Sequence, residues 1–104
     1  MAAGGREQFQ FEWDEVKAAA NFRKHGVAFE LARTVFGDPR ILTVPDLEHS
    51  ESEERWFSIG CARNGVMLSI AYLWDESGLG TTTIRVISAR KATHNEIRYY
   101  EESL

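Results

Sequence analysis

Cysteine is nearly missing from this chain. Cys61 is the only one, so no internal disulfide can form and no cysteine-rich zinc site can be built. A lone cysteine favours a reducing compartment, and its place inside an apolar strand pattern reads as packing. Proline is scarce as well: Pro39 and Pro45 each fall where an element closes. No apolar run reaches the ~18–20 residues needed to span a bilayer. The small residues Met1 to Gly5 carry no apolar signal core, so residues 1–8 read as a flexible leader and 9–104 as one cytoplasmic domain. No GxGxxG or Walker A sequence supports a nucleotide cofactor, and no GxSxG elbow supports a serine hydrolase. The stretch around His49 holds ligand types but no second histidine at helical spacing, so no metal and no cofactor are expected.

The charge is unevenly spread. The net charge is −4, yet Asp46 to Glu54 alone holds five acids and no base. From Arg55 to His94 five bases face only Asp75 and Glu76. A segment that is net positive inside an acidic protein is a candidate surface for a polyanion.

The pattern predicts the order β-α-α-β-β-β-β-α. Phe9, Phe11 and Trp13 alternate with polar residues as a half-buried strand does. Asp14 caps a helix to about His25, stopped by Gly26. Its Val16, Ala19, Ala20 and Arg23 share a face that is expected to pack closely against a neighbour. Phe29 to Phe36 fits a second helix fully, with apolar residues at i, i+3, i+4, i+7 and i+8 from Ala28. Strands follow over Arg40–Val44, Arg55–Ala62, Val66–Trp74 and Thr82–Ala89, with Asn64-Gly65 as a strong hairpin signal and a longer loop over Asp75–Thr81. Thr93 and Glu96 form a capping box for the last helix. The expected fold is α+β: an N-terminal strand and a helical hairpin on a twisted, mainly antiparallel sheet, closed by a C-terminal helix.

Thr82 to Thr93 brings Arg85, Arg90 and Lys91 to a strand and its end. Strict alternation puts Ile84, Val86, Ser88 and Arg90 on one face and Arg85, Ile87 and Ala89 on the other. Lys24 and His25 end the first helix, where they complement its dipole. Arg55 opens a strand beside Glu53 and Glu54, and a salt bridge there is its plain role. Tyr72 and Trp74 share one face of the third strand, where packing or base stacking are both open.

These residues resemble the BrnT toxins of bacterial toxin–antitoxin pairs, which are similar in fold to the RelE ribonucleases. The likeness is carried by Phe11-Glu12-Trp13-Asp14, Lys17-Ala18 with Asn21, Lys24-His25-Gly26-Val27 and Phe29-Glu30. It continues through Val35-Phe36, Asp38-Pro39, Asp46, His49-Ser50, Glu53-Glu54-Arg55 and Ile59-Gly60. It closes with Ile84 to Ala92, Glu96 and Tyr100-Glu101. The resemblance implies a RelE-like fold and a metal-independent endoribonuclease that stops translation. It also implies a cognate BrnA-like antitoxin that neutralises the toxin and carries operator DNA contacts for the complex. Lys24, His25, His49, Arg55 and Arg90 then become catalytic candidates, with Lys91, Tyr72 and Trp74 as RNA contacts. Arg90 and Arg55 would clamp the phosphate, Lys24 would add a point charge, and His25 or His49 would move protons. Glu54 would hold Arg55 or act as base. Relatives usually carry a basic residue after the third strand, whereas this chain reads Leu73-Trp74-Asp75-Glu76. That departure keeps a second reading open, a toxin homologue of little or no activity that serves as a partner-binding module.

Overall fold

The computed structural model of the chain describes residues 8–45 and 55–103. The leader up to residue 7, the acidic segment and, with it, His49, Glu53 and Glu54 lie outside the described residues. The elements are β1 (Gln8–Glu12), α1 (Glu15–His25), α2 (Phe29–Ala32), a 3-10 turn (Arg33–Gly37), β2 (Leu42–Pro45), β3 (Arg55–Cys61), β4 (Met67–Gly78), β5 (Thr81–Lys91) and α3 (His94–Glu102). The fold is α+β as expected. No helix among the described residues is long and apolar enough to cross a membrane.

The caps read from sequence are present. Asp14 accepts from the amides of Val16 at 2.8 Å and Lys17 at 3.1 Å, and Gly26 closes α1 at a φ of 71°. Thr93 and Glu96 satisfy each other's backbone amides in a full capping box at the start of α3. Gly65, at a φ of 88°, turns the chain between β3 and β4.

The sheet order is β1-β5-β4-β3-β2. Strands β2 to β5 pair antiparallel, each with the next in sequence. β1 lies parallel to β5, since α1 and α2 carry the chain from one edge of the sheet to the other. One face packs on α2 and the segments that flank it. Val27, Phe29, Ala32 and Val35 meet Leu68, Ile70, Tyr72, Ile84, Val86 and Ala89 there. This is called the first face below; the opposite one is the second.

Three expectations need correction. The second helix is α-helical only to Ala32 and then tightens to 3-10, where Thr34 bonds back to the Leu31 carbonyl at 2.6 Å. The loop expected over Asp75–Thr81 is mostly strand: β4 runs on to Gly78, and Gly80, at a φ of 70°, makes the hairpin turn. Of the small apolar side of α1 only Ala18 packs against the core. Val16 is 77 % and Phe22 55 % exposed, and the helix buries a polar residue, Asn21, instead.

One carboxylate ties three elements together. Asp38 accepts from the Cys61 amide at 2.8 Å, the Tyr100 hydroxyl at 2.7 Å and the Arg40 amide at 2.9 Å. Burial would raise its pKa, but these donors together hold it below the ordinary carboxylate value. The same bond pushes the Tyr100 phenol up to about 12. Gly60 lets the turn approach, since a Cβ there would stand 2.7 Å from Val35 Cγ1.

Tyr100→Phe should therefore cost about 1.5–3 kcal/mol, the worth of a hydrogen bond to a charged group, in urea unfolding at neutral pH. The signs at the two ends of the pH range differ. The Asp38 contribution is present above its unfolded value of 3.8 and is lost as pH falls through its lower folded value. The Tyr100 contribution is present below 10.0 and is lost as pH rises through about 12, so the variant should lack that alkaline loss.

Candidate functional site

The site is set by an irregularity in β5. Tyr72 pairs with Val86 but Ala71 pairs with Ser88, so Ile87 is an extra residue with no partner on β4. Alternation resets across this bulge. Ala89 is buried on the first face with Ile84 and Val86. Arg90 consequently lies on the second face with Arg85. The opposite placement expected from strict alternation is overturned, because period-two counting fails across one inserted residue.

Asn21 holds the bulged strand in place. β1 pairs with β5 only as far as Arg85, so on that side, opposite β4, the backbone of Ala89 has no strand beside it. The Asn21 amide fills that place: its Nδ2 donates to the Ala89 carbonyl at 2.8 Å and its Oδ1 accepts from the Ala89 amide at 3.1 Å. A third bond, at 3.0 Å, reaches the Val27 carbonyl.

Register then lays out the second face. Arg55, Leu73 and Arg85 form one row across β3, β4 and β5. Ile59, Ser69 and Arg90 form another, and Phe57, Ala71 and Ser88 lie between them. Arg55 and Arg85 are two strands apart, about 9–10 Å, while Arg85 and Arg90 are separated by about 13 Å along the strand. One phosphate cannot engage Arg85 and Arg90 together, but one polyanion strand can. Ser69 and Ala71, which lie between them, are buried.

Arg90 is held in a fixed pose. Its two terminal nitrogens donate to the two Glu96 oxygens, each at 2.9 Å, and Nη1 also reaches the Lys91 carbonyl at 3.3 Å. Its guanidinium lies 5.4 Å from the Phe57 ring centre. The pair is half-buried, at 34 % and 18 % side-chain exposure. The bond to Glu96 raises the Arg90 pKa and, reciprocally, lowers that of Glu96. Guanidinium has five N–H groups, and the end-on fork is the one Glu96 takes. The side-on fork, Nε–H with one Nη2–H, makes no bond among the described residues and matches two phosphate oxygens. Arg85 is paired too, with Glu12 at 3.0 Å, in an exposed bridge worth little.

The sequence-derived candidates divide into three groups. Lys24 and His25 lie on the Asn21 side of α1, three and four residues on, and so end the helix beside the strand end that carries Arg90 and Lys91. Arg55 shares the second face with Arg90, one row from Phe57. Tyr72 and Trp74 belong to the first face, against expectation. Tyr72 is 1 % exposed, is crossed edge-on by Phe36 at 5.0 Å and bonds Ser58 at 2.7 Å, so it cannot stack on a base beside Arg90. Trp74 packs against Phe9 and donates to Glu76. His49 lies outside the described residues. Phe57 and Glu96 are the additions: period-two counting within one strand cannot say which side of the sheet Phe57 takes, and Glu96 was legible only as a cap and as part of the family likeness. Among the described residues, no three histidine, cysteine or acidic side chains gather as metal ligands would.

Comparison with known proteins supplies a family and a similar fold. Residues 13–96 match the family described as ribonuclease toxin, BrnT, of type II toxin–antitoxin system. The fold is similar to the 1.1 Å crystal structure of the Brucella abortus ribonuclease toxin BrnT. The TM-score is 0.58 at 21 % identity, over 84 % of this chain and 99 % of that one. No curated protein sequence matches the chain.

Two substitutions test the scaffold. Asn21→Ala should destabilise by roughly 3 kcal/mol, because it strands the buried groups of Ala89 and Val27, as read by chemical denaturation. Glu96→Ala should cost about 1–3 kcal/mol and Thr93→Ala about 1 kcal/mol, since only the first also unclasps Arg90. The Glu96 contribution is present above its ordinary value of 4.5 and is lost as pH falls through its lower folded value, so Glu96→Ala should reduce acid sensitivity.

Proposed function

Because the chain belongs to the BrnT family of ribonuclease toxins of type II toxin–antitoxin systems, we propose that it cleaves RNA on the second face of its sheet. The observation that carries this reading is the bulge at Ile87, which gathers Arg55, Arg85 and Arg90 on one face. The cleavage inhibits translation in the cytoplasm, and a cognate BrnA-like antitoxin neutralises it. Operator DNA is contacted through that antitoxin.

Cleavage proceeds by attack of the neighbouring 2′-OH on the phosphodiester and needs no metal. The attack builds negative charge on the phosphate oxygens. Arg90 meets that charge with its side-on fork, pre-oriented by Glu96, so little reorganisation is left for the transition state. Arg55 supplies the second cation, and Arg85 holds the strand further along β5. Lys24 and Lys91 add charge at the strand end. His25, beside that end, or His49 takes the proton from the 2′-OH and returns one to the leaving 5′ oxygen. Phe57 offers an aromatic surface next to Arg90, which takes the base-stacking role from Tyr72 and Trp74.

The test is expression of the chain alone and together with its antitoxin. Growth arrest and RNA cleavage are expected from the chain alone, relieved by the partner. Arg90→Ala should reduce cleavage about 10²–10³-fold, the usual cost of one donor to a developing oxyanion. Excess EDTA should leave the rate unchanged. Intact RNA and normal growth in the presence of folded protein would leave the partner-binding module as the function.

A further inference from the structure

Helix α1 leaves one side in solvent. Glu15, Val16, Ala19, Phe22 and Arg23 are all exposed. At about 100° per residue they fall within about 60° of Ala19 around the helix. The helix docks on the sheet through Asn21, about 160° round from Ala19. A groove of about 480 Å³ runs beside the exposed side, closed by Ala28 and Phe29 at the start of α2. The arginine site uses none of these residues.

Their spacing is symmetric. Val16 and Phe22 stand three residues before and three after Ala19. Glu15 and Arg23 stand four before and four after. The apolar pair and the charged pair thus share one midpoint, and the two charges are opposite. Within one chain those charges cannot meet, since they lie eight residues apart and the helix neighbour four away from either is Ala19. The ion pairs seen among the described residues involve neither of them. Glu30, on the far wall of the groove, adds a second acid to the same patch.

A closed dimer uses the same patch on both copies, with residue i against j and j against i. Two α1 helices packed antiparallel about Ala19 meet that demand. Val16 of each copy comes level with Phe22 of the other, and Glu15 comes level with Arg23. Each contact is made twice. Ala19 stands at the crossing, where a small side chain lets two helices approach closely. Other occupants fit less well. RNA would meet two acids around an apolar centre, and an unlike partner would call for no internal symmetry.

We propose that this side of α1 is a dimer face, occupied by α1 of a second copy in antiparallel order. The contact is independent of the RNA-cleaving reading. Lys24 lies about 140° round the helix from Ala19, outside the contact. The two α1 C-termini, with the strand ends beside them, point to opposite ends of the pair and stay open. Two helices of 11 residues cover less than the ~800 Å² per partner of a standard interface, so the dimer is weak, with a Kd on the order of 100 µM.

The experiment is sedimentation equilibrium of the full chain from about 20 µM to about 1 mM, where a weak dimer follows mass action. The parent chain should dimerise across that range, and less so in high salt. Glu15→Arg and Arg23→Glu should each weaken association about tenfold, since each sets like charges together twice. Mixed one to one, the two variants should pair again, because every contact between them joins opposite charges. The double variant should pair with itself for the same reason. Damage to the helix by either substitution would not be undone by mixing. Ala19→Glu should leave a monomer with an unchanged circular dichroism spectrum, because the residue is exposed. A parent chain that stays monomeric at the highest concentration overturns the proposal. So does association that both single variants retain, or that mixing fails to restore. An effect of Glu15→Arg confined to the antitoxin complex also overturns it, and would make α1 a docking face for that partner.

Discussion

The bond between the Asn21 amide and the backbone of Ala89 is the constraint on which the rest depends. A bulge in an interior strand is tolerable only if the displaced backbone finds partners, since a buried unpaired amide or carbonyl costs as much as a lost hydrogen bond. β1 stops short of Ala89 and cannot supply them. A side-chain amide can, because it carries a donor and an acceptor with the geometry of a peptide. Asn21 is also the one buried residue of α1. The helix is thus docked by a polar contact where its apolar residues would have been expected to dock it, and Val16 and Phe22 are left in solvent.

From that lock the site follows. Without the extra residue at Ile87, Arg90 would point to the helices and Arg85 to the second face. With it, both share a face with Arg55, and Arg90 comes within reach of Phe57 and of Glu96 on α3. Glu96 then serves two ends. It closes the capping box that starts α3, and it fixes the Arg90 guanidinium. The helix start and the pose of Arg90 are one set of bonds, so α3 cannot fray without loosening Arg90.

Much of this fold was legible because its punctuation is local. Asp14, Gly26, Asn64-Gly65 and the Thr93–Glu96 box each act on backbone within a few residues, and each stands where it was read. The α+β class followed from period and loop length. What failed is non-local. Whether Tyr72 and Trp74 face the arginines depends on the register of β4 against β5, and a bulge leaves no mark in composition. The face that α1 buries was misjudged because an alanine-rich stripe counts as apolar, while the decisive contact is an asparagine sixty-eight residues from its partner. Candidate site residues could therefore be named from the sequence but not placed. Lys24, His25, Arg55, Arg90 and Lys91 come to one strand end and one face, while the aromatics proposed with them line the other side.

The acidic net charge bears on how such a site can work. At −4 the protein lacks a long-range field that would draw RNA to it, and Arg85 and Arg90 on the face are paired with acids. Pairing weakens their pull at a distance, but it also holds them still. An arginine clasped end-on by a glutamate presents its remaining fork in one orientation, at the cost of some attraction for any polyanion that passes. The balance favours an enzyme that acts on RNA already presented to it over one that captures free strands by charge. It also places discrimination in short-range geometry, where a bulge, a fork and an aromatic ring decide what fits.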